Sequence, residues 1–110
     1  MTKSLALEQI EKEFTTATRA LSAGNDGMAR VCSRRAAGIA ITFWLEHRHD
    51  RSWGIDAMSK LRHLQADTSM PDIVREAATR LTTKVNNQFD LPFRADPIAD
   101  GKIIVSHLLH

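Results

Sequence analysis

Arg30, Arg34 and Arg35 follow a Gly-Asn-Asp-Gly stretch at positions 24–27 and precede a run rich in alanine and isoleucine. On a helix Arg30 and Arg34 stand one turn apart, and Arg35 lies about a third of a turn round from Arg34. Guanidinium groups hold phosphate oxygens in a planar fork, and the free N–H groups of a first helical turn also favour anions. The three arginines are therefore a candidate phosphate site, for a nucleotide or an RNA backbone. The competing expectation is structural: ion pairs to Glu8, Glu11 or Glu13 of the preceding segment, or a solvated helix end. The glycine-rich lead-in lacks the Lys-Ser or Lys-Thr of a P-loop.

Other reactive residue types are present without a constellation to join them. His47 and His49, with Glu46 and Asp50 beside them, have the composition of a metal site, but on one helix the two imidazoles point about two hundred degrees apart. His63 and His107 join them only through tertiary structure, and no HExxH or cysteine ligand pair occurs, so no metal and no other cofactor is expected. Cys32 has arginine neighbours that favour a thiolate, yet it shares the apolar face of Ile39 and Phe43, which points to a buried thiol. The aspartates at 56, 67, 72, 90, 96 and 100 fall mostly at helix starts and loops, where capping accounts for them. Trp44 and Trp53 are two of only six aromatic residues, too few for a base-stacking platform. No catalytic residue is assigned.

These residues are carried by helices. Leu7, Ile10, Phe14, Ala17 and Leu21 recur at spacings of three and four, which predicts a helix over 4–23. Asn25 or Asp26 can cap a second helix over about 28–47 that is apolar on most of its circumference, with a wet strip only through Arg35, Thr42 and Glu46. Such a helix belongs at the centre of a bundle, and Ala36, Ala37, Gly38 and Ala40 let a neighbour approach closely. The charged EHRHDRSWG segment reads as a connection or frayed end. Ile55, Met58, Leu61 and Leu64 predict a short third helix ending near Asp67, and Pro71 opens a fourth carrying Val74, Ala77, Ala78, Leu81 and Val85. Residues 86–95 form a loop anchored by Phe89, Leu91 and Phe93. Asp96-Pro97 opens a last helix with Ile98, Val105, Leu108 and Leu109, weakened by Gly101 at about 1 kcal/mol relative to alanine. The expectation is an all-α, single-domain bundle of four or five helices over 1–110.

Composition agrees. The chain has 110 residues, 43% hydrophobic and 25% charged, the balance of an ordinary folded domain rather than of a disordered or fibrous one. Fifteen basic against 13 acidic residues leave a formal charge of +2, too little to imply nucleic acid without clustering. A single cysteine excludes an internal disulfide and suits a reducing cytoplasm. The N-terminus lacks the apolar region of a signal peptide, and the longest apolar run, 36–45, is about half of a membrane span.

The central segment ARVCSRRAAGIAITFWLE and the closing ADPIADGKIIVSHLL, together about a third of the chain, resemble HEPN domains, small helical bundles found beside nucleotidyltransferases and in toxin–antitoxin pairs. The resemblance implies association with a nucleotide or RNA and homodimer or partner binding. Ribonuclease members of that family use an arginine followed, after four to six intervening residues, by a histidine. His47, His49, His63, His107 and His110 have no arginine at that separation, so the resemblance implies a non-catalytic member.

The expected function is thus a non-enzymatic bundle that self-associates or binds a protein partner, with a nucleotide or RNA phosphate at Arg30, Arg34 and Arg35. The second helix wants cover on several faces, which favours a homodimer. The alternative is a small enzyme or regulator with its site near the start of that helix or at the EHRHDR turn.

Overall fold

A computed structural model describes residues 1–84, 91 and 93–110. Five helices follow one another: α1 (Lys3–Ser22), α2 (Asp26–His47), α3 (Ala57–Ala66), α4 (Asp72–Thr82) and α5 (Pro97–Leu109). No strand occurs among the described residues, and the fold is an all-α bundle. Val85 and Phe89, expected in the fourth helix and as a loop anchor, lie outside the described residues.

Local chemistry sets the helix starts. The side chains of Thr2, Asn25, Asp56 and Asp96 each accept a hydrogen bond from a backbone N–H of the first turn that follows, at 3.1, 3.0, 2.7 and 3.1 Å. These bonds satisfy donors that a helix leaves free. Asn25 rather than Asp26 caps α2, which therefore begins two residues ahead of the expected Met28. Gly24, at φ 77°, supplies the left-handed turn between α1 and α2. Pro71 occupies the cap position of α4 without a side-chain bond.

The Asp56 cap gives a pH prediction. The hydrogen bonds from Ser59 hold its carboxyl below the ordinary range, so the folded chain binds that proton less readily than the unfolded chain. The contribution is present above the unfolded value of about 3.9 and disappears as pH falls through the lower folded value. Asp56→Asn, which still caps, is expected to leave neutral-pH stability nearly unchanged and to flatten the acid limb of stability against pH, measured by urea unfolding between neutrality and pH 3.

α2 is the centre. It packs along α1, α5 and α3, while α4 lies against α3 and α5. Ala29, Cys32, Ala36, Ala37, Ala40, Ile41, Phe43 and Leu45 of α2 are all buried. One cluster joins most of them to Ile10 and Phe14 of α1, Leu61 and Leu64 of α3, Val74 and Leu81 of α4, and Ile104 and Leu108 of α5. The small residues act as expected: a Cβ at Gly38 stands 3.3 Å from the Cβ of Ala57 at the start of α3. No described helix is long and apolar enough to cross a membrane.

Candidate functional site

Arg30 and Arg34 reach across to the far end of α4. Arg30 Nη2 donates to the carbonyl oxygens of Arg80 and of Thr83, the latter at 2.7 Å, and Arg34 Nε donates to that of Leu81 at 2.6 Å. The last carbonyls of a helix have no partner within it and carry the negative end of its dipole, so two cations there satisfy both needs. Arg80 in turn sets Nε and Nη2 at 3.0 and 2.9 Å from Oδ1 of Asp100. Asp100 is 5% exposed in the first turn of α5, where the dipole favours an acid. The network ties α2, α4 and α5 together at a corner where α4 otherwise packs on α3 and α5.

Burial lowers the guanidinium pKa values of Arg30 and Arg34, with the like charge of Arg34 adding to the effect at Arg30 and Asp100 opposing it. Hydrogen bonding to Asp100 raises that of Arg80. Arg35 is exposed and stands apart from the α4 carbonyls, lining a groove between α1, α2 and α3. The three arginines proposed for a phosphate are thus divided between a helix cap and a surface groove. The expected ion pairs to α1 are also absent from the described contacts: Glu8 pairs with Lys12 at 3.6 Å, and Arg30 and Arg34 bind carbonyl oxygens instead of carboxylates. The sequence did contain a cue. α4 ends in Thr82, Thr83 and Lys84 without the glycine that commonly closes a helix, so its carbonyls required donors from elsewhere. Arg75 meets the same need at α3, donating through Nε to Gln65 O at 2.9 Å.

His47 and His63 are engaged locally. His47 stacks on Phe43 with ring centroids 3.9 Å apart and donates from Nδ1 to the Phe43 carbonyl at 3.0 Å. His63 donates from Nδ1 to Ser59 O at 2.9 Å and stacks on Trp53 at 5.6 Å. Trp53 meets Trp44 edge-on at 5.6 Å, and Arg48 lies over Trp44 at 4.4 Å while pairing with Asp50 at 3.0 Å. These contacts pin the connection between α2 and α3 against the bundle. Among the described residues no group of three or more histidine, cysteine or acidic side chains is placed to hold a metal ion. Cys32 is 1% exposed beside Ala17 and Ala29. Burial pushes its thiol up, Glu13 adds to the shift and Arg35 opposes it, which makes an unreactive thiol.

The remaining feature is the groove itself, about 340 Å³. On α2 it is lined by Arg35, Gly38, Ile39 and Thr42, with Met1 and Glu13 on the α1 side and Ile55, Ala57 and Lys60 on the α3 side. Ile55 is 98% exposed and Met1 48% exposed, an unusual display of apolar surface beside a half-buried Ile39. A larger depression between α3 and α4, about 610 Å³, is lined mainly by charged and polar side chains such as Arg62, Asp72, Arg75 and Glu76. In the groove the Thr42 hydroxyl is shielded from water and has no hydrogen-bond partner among the described residues. Removing an unsatisfied buried polar atom stabilises. Thr42→Val is accordingly expected to raise stability by about 0.5–1 kcal/mol, seen as a higher urea midpoint with unchanged slope.

Comparisons with the known protein families, with curated proteins and with solved structures return no match.

Proposed function

We propose that this chain is a non-enzymatic helical bundle that acts by self-association, working in a reducing cytoplasm. The observation that carries the proposal is the groove between α1, α2 and α3, where Ile39, Met1 and the fully displayed Ile55 present apolar surface with charges of both signs around it. Ile55 at the groove's edge is the most exposed large hydrophobic side chain among the described residues. At the two places where a small-molecule or catalytic site was the alternative, Arg30 and Arg34 close α4, His47 bonds back to the Phe43 carbonyl and Arg48 pairs with Asp50. Partner binding without catalysis is also what the HEPN resemblance implies.

Sedimentation velocity across the micromolar range tests the reading. The wild-type chain is expected to sediment faster as concentration rises, and Ile55→Asp, which places a charge on an already exposed position and so spares the fold, is expected to remain a monomer. A wild-type chain that is monomeric at every concentration would defeat the proposal.

A further inference from the structure

We draw no further inference here: the strongest candidate, the groove between α1, α2 and α3, carries charges of both signs at Glu13, Arg35 and Lys60 beside Ile39 and Ile55, and nothing in the structure shows what covers it.

Discussion

Arg30→Ala is expected to lower stability by about 3 kcal/mol, because hydrogen bonds from a charged donor contribute about 1.5–3 kcal/mol each and Arg30 makes two. The donor is 8% exposed, and its removal leaves the carbonyls of Arg80 and Thr83 without the hydrogen bonds it gives them. The sum falls at the lower end of two such bonds because α4 ends near the surface, where water can replace part of the loss. Arg34→Ala removes one bond, to Leu81, and is expected to cost about 1.5 kcal/mol. The double variant should fall short of the sum, since both arginines serve one helix end. Arg30→Lys should recover little, because both bonds leave the Nη2 nitrogen and a lysine side chain ends one bond short of that position. Urea unfolding followed by circular dichroism measures all four. The same proteins separate a cap from a phosphate site: a cap loses stability in Arg34→Ala whether or not phosphate is present. An Arg34→Ala variant that keeps full stability and loses saturable binding of inorganic phosphate would instead assign the cluster to a ligand.

Gly101→Ala is expected to destabilise by about 2 kcal/mol, against the sign that helix propensity alone predicts. Alanine in place of glycine within a helix is worth about 1 kcal/mol in its favour. In the bundle, however, a Cβ at position 101 would stand 2.9 and 3.1 Å from Cε1 and Cζ of Phe14 and 3.3 Å from the carbonyl oxygen of Ser33. Phe14 is 8% exposed and wedged in the core, and Ser33 belongs to α2, so neither neighbour yields freely. Overpacking of this kind costs about 1–3 kcal/mol and here outweighs the gain in propensity. A melting temperature lowered by about 8 °C would report it. Gly101→Val should be worse, since its second methyl enters the same gap. Combining Gly101→Ala with Phe14→Leu should recover part of the loss, the signature of direct contact between the two positions. A Gly101→Ala protein that melts higher than wild type would show that α5 can move away from Phe14.

Much of the architecture was legible along the chain. The spacing of Leu7, Ile10, Phe14 and Ala17 predicted α1, and the observed helix is displaced from the expected 4–23 by a single residue at each end. Asp96-Pro97 opened α5 as expected, and the near-continuous apolar surface of α2 did indicate its place at the centre. Arg35 and Glu46 on the predicted wet strip are exposed, with Thr42 half-buried between them. The helix end after α2 and the role of the EHRHDR segment as a connection also follow from local composition, although nothing local indicated that Trp53 would stack on His63.

The sequence by itself determined the helices, their caps and which helix is innermost, because periodicity and capping depend on residues within a few positions of one another. Only the tertiary structure decided what Arg30 and Arg34 bind, why Gly101 is glycine, and that Glu13, Arg35 and Lys60 line one groove between α1, α2 and α3. Arg30 and Thr83 are 53 positions apart in the chain. Whether they meet is set by where α4 is held relative to α2, through its packing on α3 and α5, and no pattern within either segment encodes that.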